Sequence, residues 1–396
     1  MKKRVLSLFM ALALCFSMPP TAALATENTT EPSTQLTEPT PVPQEPETPD
    51  QGENTEPSAA EKAAPVGEVS ETADSTHKHY LCGGDTCNKV GHDENTKTTF
   101  TAWTDTLAQT QYGNTNVKTP NLDRFARQGF LFENAYSEGL PTIPVRRAIM
   151  TGRFTLPYAG WKPLDLNDTS LTDMLWCREV QTALVYDTPP MRLPKYGYSR
   201  GFDYVKFCNG HELDHETFHN VPLDPAVKAE DYLSPGMLHR NEDGEYDSSS
   251  QSLIREAECY LKQRQFWKSD ADNYVSVVAR EADDWLRRKR DPKRPFLMWV
   301  DSFDPHEPWD PPSVWEGKPC PHDPDYQGNP MILAPWTEVK GVMTEEECAH
   351  IRALYMEKIT QVDKWVGELL DSIRAQGLWD ETLIVLMSDH GQPMGE

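Results

Sequence analysis

Residues 345–376 are the stretch that most limits what this chain can fold into. Ile351, Tyr355, Ile359, Val362, Val366, Leu369 and Ile373 recur every three or four positions, and Gly377 follows. That spacing predicts a long helix with one apolar face, closed by a glycine. The chain then runs through Thr382-Leu-Ile-Val-Leu-Met387, an unbroken apolar run expected of a strand covered on both faces. The same rhythm occurs earlier. Ser170-Leu-Thr-Asp-Met-Leu-Trp176 reads as a capped helix and Thr182-Ala-Leu-Val-Tyr186 as a buried strand. Residues 274–289 read as a helix and 295–303 as a strand. Strand, helix and strand in repetition predict an α/β fold, a mainly parallel sheet covered by helices on both faces.

Ligands of such sheets gather beyond the carboxyl ends of the strands. Asp389 and His390 directly follow one apolar run, and Asp301 and then His306 follow another. Residues 130–136 read as a third strand, after a helix begun at Thr119-Pro120 and closed by Gly129, and Thr142 comes shortly after it. Thr142-Ile-Pro-Val-Arg146-Arg-Ala-Ile-Met-Thr-Gly-Arg153 sets a hydroxyl, a helix start and three guanidiniums within a dozen residues. Pro144 suits a first helical position, so Thr142 is expected at the lip of a helix whose amides and dipole favour a developing anion. Arg146 could reach back to the same anion. A capping threonine beside a surface cation is the plainer reading of those two residues alone.

The frame resembles the sulfatase family of the alkaline-phosphatase superfamily. That family's signature runs Cys or Ser, x, Pro, x, Arg, then a few residues to Thr-Gly-Arg. Thr119-Pro-Asn-Leu-Asp-Arg124 with Gly129 and Asn134-Ala-Tyr136, Asp304-Pro-His306-Glu-Pro308, and Ser388-Asp389-His390-Gly391 match further stretches in order, over residues 112–396. The resemblance implies the catalytic domain of an ester hydrolase. In it Thr142 stands at the nucleophile position, Arg146 orients the nucleophile and bridges to the metal site, His306 contacts the ester oxygens, and Asp389 and His390 hold a divalent cation. Calcium is implied for a sulfatase, manganese or zinc for a phosphoesterase. Arg153 is expected to pin the motif helix.

Three departures stand out. Threonine cannot become the formylglycine of family sulfatases, and threonine nucleophiles resemble the phosphodiesterase and phosphotransferase branches instead. The family's first strand is apolar and ends in a metal-binding Asp, whereas Thr98-Thr-Phe-Thr-Ala-Trp-Thr104-Asp105 is polar and short. Asp105 is either that ligand or a surface residue. The chain also stops where the family continues toward a lysine and a smaller C-terminal sheet, so the domain is expected to be incomplete at both places.

Met1-Lys-Lys-Arg4, an apolar run at 5–18 and Ala23-Leu24-Ala25 have the three regions of an export signal, so residues 1–25 are expected to be removed and the protein to be secreted or held at the cell surface. No run reaches the roughly 20 apolar residues of a membrane span. Residues 26–76 are rich in Thr, Glu and Pro and read as a disordered spacer. Residues 77–111 read as a small module or linker, weakly similar to segments of exported surface proteins of gut Gram-positive bacteria. There Cys82 and Cys87, with His77, His79 and His92, fit either a metal site or a disulfide loop. With Cys15 in the signal, seven of the eight cysteines remain, so at least one thiol lacks a partner within the chain.

An excess of 62 acidic over 38 basic residues argues against a nucleic-acid partner. The basic cluster Arg287-Arg-Lys-Arg290 reads as a solvated helix end. Residues 187–271 break the α/β rhythm and carry His211, His215 and His219, as an insertion that could shape a pocket. The expectation is an exported, metal-dependent hydrolase of sulfate esters or phosphate mono- or diesters, acting on a small anionic ester or a sulfated or phosphorylated glycan. The alternative is an inactive surface protein that keeps the core as a binding or spacer module. Oligomeric state is left open.

Overall fold

Five parallel strands form one sheet in the order β3-β2-β4-β1-β5. The structure is a computed structural model that describes residues 6–12, 114–132, 135–137, 140–154, 160–209, 211, 221–334 and 339–392. All of these belong to one of the chain's two units, that of residues 1–18 and 95–396. The spacer, the Cys82 and Cys87 module and Asp105 lie outside the described residues.

The elements in chain order are β1 (Leu6–Leu12), α1 (Pro120–Arg127), α2 (Thr142–Thr151), α3 (Leu171–Leu175), β2 (Gln181–Tyr186) and β3 (Tyr204–Phe207). They are followed by α4 (Ser248–Arg264), α5 (Tyr274–Asp284), β4 (Phe296–Ser302), α6 (Glu345–Ala375) and β5 (Thr382–Ser388). Every residue of β2 and of β4 is buried. Ala183 and Val185 of β2, with Met298 and Val300 of β4, face a core built from α5 and α6, including Val278, Val362, Val366 and Leu369. Leu184, Tyr186 and Trp299 face the other way, against Ile143 and Met150 of α2. This alternation is the two-residue period of a strand covered on both sides.

α6 begins at a capping box in which Thr344 and Glu347 satisfy each other's backbone amides, and three glutamates in its first turn complement the dipole. α5 continues into a π-helical turn, Trp285–Lys289, that keeps Trp285 and Leu286 buried. The arginines beyond them pair locally, Arg287 with Asp283 and Arg288 with Asp284, as a solvated helix end should.

Three expectations change. Residues 130–132 and 135–137 are not in a strand, and Phe130, Phe132 and Tyr136 are exposed, so among the described residues no strand leads into Thr142. β5 is an edge strand rather than a doubly covered one, with Leu383 56% exposed. The stretch read as turns contains the 17-residue α4, started by the Asp247 side chain on the Ser250 amide. The apolar run expected to be part of an export signal has a place in the sheet of the full chain. Leu6–Leu12 is a central strand, paired to β4 from Ser7↔Leu297 to Leu12↔Ser302 and to β5 from Leu6↔Thr382 to Leu12↔Ser388. β4 and β5 do not pair with each other.

Candidate active site

Thr142 is the first residue of α2, with Pro141 at the cap position, so Pro144 sits inside the first turn rather than at its start. The helix ends at Gly152, whose φ of 65° is the left-handed conformation that closes helices and that glycine adopts without steric cost. Arg147, buried, ties the helix to the Asp168 carboxylate and to the Pro163 carbonyl at 2.6 Å. Arg153, expected to do this, is exposed.

Arg146 lies on the inner face and is fully buried. Its guanidinium donates to both carboxylate oxygens of Asp301 at the end of β4, Nε at 2.9 Å and Nη2 at 2.7 Å. Nη1 donates to Asp389 Oδ2 after β5 at 2.7 Å and to the Thr142 carbonyl at 3.2 Å. One planar fork thus ties the start of α2 to two strand ends. Asp301 is further fixed by the Thr188 hydroxyl at 2.6 Å and the Trp299 indole at 3.1 Å. The Thr142 hydroxyl is buried and has no hydrogen-bond partner among the described residues. It therefore stands at a helix N-terminus, one turn from a guanidinium, with its oxygen uncommitted.

His390 follows Asp389, with Nε2 3.4 Å from Asp389 Oδ2 and Nδ1 2.9 Å from the Gly391 carbonyl. His306 comes from the loop after β4. Its Nδ1 donates to the Glu307 carbonyl at 2.6 Å, its ring stacks on Phe303, and its Nε2 is buried without a partner among the described residues. Burial holds its pKa below the usual imidazole range, against the opposing pull of Glu307, with His211 and His390 adding to the lowering. Thr142, Arg146, Asp389, His390 and His306 are therefore brought to one end of the sheet. Asp105 is not among the described residues.

Asp389 and His390 are chemically suited to a divalent cation. Among the described residues, however, no group of three or more His, Cys, Asp or Glu side chains is placed to hold a metal ion. Fully buried Asp301 and Asp389 both pair with the Arg146 guanidinium, which places two carboxylates at this end of the sheet. The two carboxylates suit a cation, but the ligand set among the described residues is incomplete.

Asp187, after β2, shows the cost of that charge. Its Oδ1 accepts the Phe303 amide at 2.6 Å and its Oδ2 is buried without a partner among the described residues. Burial, with the charges of Asp304 and Asp301, pushes its carboxyl well above the usual range, so it is held protonated. The unfolded chain gives that proton up above about pH 4. The stability the proton confers is full below the unfolded pKa and declines, by about 1.4 kcal/mol per pH unit, until pH passes the folded value. Asp187→Asn is expected to remove this slope and to gain on wild type as pH rises above about 4. Urea unfolding at a series of pH values checks this, and parallel slopes in the two proteins would contradict it.

Sequence reasoning did not assign roles to Asp304, Lys358 and Thr188. Lys358 carried a usable signal, since it falls between Tyr355 and Val362 on the apolar stripe of α6, and it is fully buried with Nζ 3.0 Å from Asp304 Oδ1.

A helix-covered parallel sheet with a buried hydroxyl, a buried arginine fork and two imidazoles beyond its strand ends defines a protein of the alkaline-phosphatase-like α/β class. The family model described as Sulfatase matches residues 101–396, well over half the chain. The chain belongs to the sulfatase family. It is 26% identical over 323 residues to an arylsulfatase of Clostridium perfringens (strain 13 / Type A), covering 72% of this chain and 60% of that one. It is 23% identical over 322 residues to the multifunctional alkaline phosphatase superfamily protein PehA of Trinickia caryophylli, covering 71% and 58%. The chain thus spans about three fifths of the length of these curated relatives. A phosphonate monoester hydrolase of Agrobacterium radiobacter shares the fold, with a TM-score of 0.51 and 20% identity over 74% of this chain and 61% of that one.

Proposed function

We propose that this chain is a hydrolase of sulfate or phosphate esters in which Thr142 is the nucleophile. The observation that carries this is the buried, uncommitted Thr142 hydroxyl at the N-terminus of α2, one turn from the Arg146 fork. Oγ1 would attack the central sulfur or phosphorus, the bond to the leaving oxygen would break, and water would release the adduct by attack at the same atom. The α2 amides and Arg146 offset negative charge on the transferred group, and His306 Nε2 contacts its oxygens. Arg146 also holds the first turn in place through the Thr142 carbonyl.

A divalent cation would supply charge neutralisation and a lowered pKa for the attacking hydroxyl. Asp389 and His390 are its proposed protein ligands, with a further carboxylate from outside the described residues, for which Asp105 is the candidate. Calcium suits a sulfate ester and manganese or zinc a phosphoester. Wild-type protein is expected to carry one divalent ion per chain and Asp389→Ala to lose it. Elemental analysis giving equal metal in both would remove Asp389 from the site.

A threonine adduct cannot leave by the elimination open to a formylglycine, so phosphate mono- or diesters are expected to turn over at least as well as sulfate esters. The small anionic ester, or the sulfated or phosphorylated glycan that carries it, is the proposed partner. Assays with aryl sulfate, aryl phosphate and aryl phosphodiester, each with calcium, manganese and zinc, test this. Thr142→Ala is expected to lose about a thousandfold or more. Unchanged turnover would take Thr142 out of the mechanism, and no turnover in folded protein would favour a noncatalytic binding or spacer module.

Export through residues 1–25, to the medium or the cell surface, remains part of the proposal. Among the described residues no helix is long and apolar enough to cross a membrane. An exported chain starting after Ala25 would lack β1, so export requires another segment to take its place between β4 and β5.

A further inference from the structure

His211 comes from the stretch between β3 and α4, yet it is only 1% exposed. Its ring packs on Tyr274 at the start of α5, with centroids 4.9 Å apart, and stands edge-on to Phe303 at 5.1 Å. Nε2 lies 3.0 Å from Asp304 Oδ1. A carboxylate only accepts, so Nε2 carries the proton and a neutral ring has its lone pair on Nδ1. That Nδ1 is buried and has no partner among the described residues.

His306 is arranged in the complementary way. Its Nδ1 is the committed nitrogen and its Nε2 the partnerless one, and its ring centroid is 6.4 Å from that of His211, with Phe303 against both rings. Two imidazoles on one aromatic platform thus each hold a buried nitrogen in reserve. A buried polar atom without a partner costs about 1–3 kcal/mol, and a ligand that supplies the partner recovers it.

The groups facing His211 fix its charge. Asp304 favours a protonated ring, but the Lys358 ammonium, 3.0 Å from the same carboxylate oxygen, counters Asp304. The other Asp304 oxygen accepts the Val275 amide at 3.1 Å, and Glu307 adds a weaker favourable charge. Burial is the largest influence and holds the ring neutral. A bound oxyanion reverses the balance, because it pairs with the cationic ring and accepts a hydrogen bond from it.

We propose that His211 is a second anion-contacting residue of this site, taking a proton from solvent onto Nδ1 when a sulfate or phosphate group binds and donating it to an oxygen of that group, with Asp304 and Lys358 as its positioning residues. The proposal rests on the ester-hydrolase reading of the same site.

Inorganic sulfate is the probe, because it is fully ionised near pH 7 and any proton taken up goes to the protein. Calorimetric titration of the full chain in buffers of different ionisation enthalpy measures that uptake. Wild type is expected to bind sulfate with net proton uptake, and His211→Gln to bind about tenfold or more weakly with less uptake. Lys358→Met, which removes the cation that opposes ring protonation, is expected to lower the uptake because His211 is then protonated before sulfate binds, an outcome that loss of packing would not give. A folded His211→Gln with wild-type affinity and uptake overturns the proposal, as does wild type that binds no sulfate. Should His211→Gln not fold, ring-nitrogen NMR of wild type decides: a His211 Nδ1 resonance moving to the imidazolium position with sulfate supports the contact, and an unmoved one overturns it. Sulfate binding with His211-dependent uptake but no ester turnover would defeat the hydrolase reading and leave this contact standing.

Discussion

Arg146→Met is expected to cost about 3–5 kcal/mol of folding free energy, because it leaves Asp301 and Asp389 facing each other without the guanidinium that bridges them. All three side chains are buried at 0% exposure, so water cannot take over the lost bonds. A domain is stable by about 5–15 kcal/mol, so the loss is a large share of the total. Arg146→Lys should recover part of the charge but not the two-pronged grip on Asp301, and should fall between. Adding Asp301→Asn to Arg146→Met should restore stability, since the surplus charge is then reduced. Urea unfolding of the four proteins measures this. An Arg146→Met midpoint equal to wild type would show that the fork does not hold the strand ends together.

Turnover should respond differently from stability in the same series. The fork fixes the first turn of α2 through the Thr142 carbonyl, so Arg146→Lys is expected to lose activity out of proportion to its smaller stability loss. A loss of turnover matching only the unfolded fraction would make Arg146 purely structural.

The elements legible in the sequence are those whose own residues specify them. The period of α6 is carried by seven apolar side chains and its start by the Thr344 and Glu347 box, so both could be located without tertiary information. β2 and β4 were legible because doubly covered strands must be apolar throughout. β5 has the same composition but lies at the sheet edge, and composition does not record how many neighbours a strand acquires. Phe130 and Phe132 alternate as a strand would, yet both are exposed and lie in no strand of the described sheet. α4 was missed because its polar, serine-rich first turn, Ser248 to Ser252, looks like a loop until the Asp247 cap is seen on the Ser250 amide.

The site divides in the same way. Thr142, Arg146, His306, Asp389 and His390 were locatable because they follow strand ends or begin a helix, places where an α/β sheet puts chemistry. Asp304, Lys358 and His211 meet from three distant parts of the chain, and only tertiary packing brings them together. Their local signs were separate ones: Lys358 within an apolar helical stripe, Asp304 in the stretch 304–308 and His211 in the insertion expected to shape a pocket.

The second large expected effect is on the sheet itself. A chain beginning at Thr26 lacks Leu6–Leu12, and with it the strand that joins β4 to β5 among the described residues. Both neighbours would then lose their ladder to β1, over six residues of β4 and seven of β5. Each buried unpaired group costs about 1–3 kcal/mol, so even a few of them approach the whole stability of a domain. The strands cannot simply close up, because β4 and β5 are set two strand spacings apart, about 9.5 Å, by α5 and α6 packed beneath them. The polar residues 98–104 are the sequence's other candidate for the slot, and a strand rich in threonine is a poor replacement where its neighbour β4 is buried at every position. The shortened chain is therefore expected to lose its cooperative unfolding transition or to show it at a much lower denaturant midpoint than the 396-residue chain. Equal midpoints and equal denaturant slopes would show that a second segment fills the slot. In that case Asp105, at the end of residues 98–104, would be brought to the carboxyl edge beside Asp389, and Asp105→Ala should lower metal content in the shortened protein. A lost transition would instead mean that the protein holds this sheet only while residues 1–25 remain attached, and intact-mass measurement of the protein from its host would then show whether the folded form keeps them.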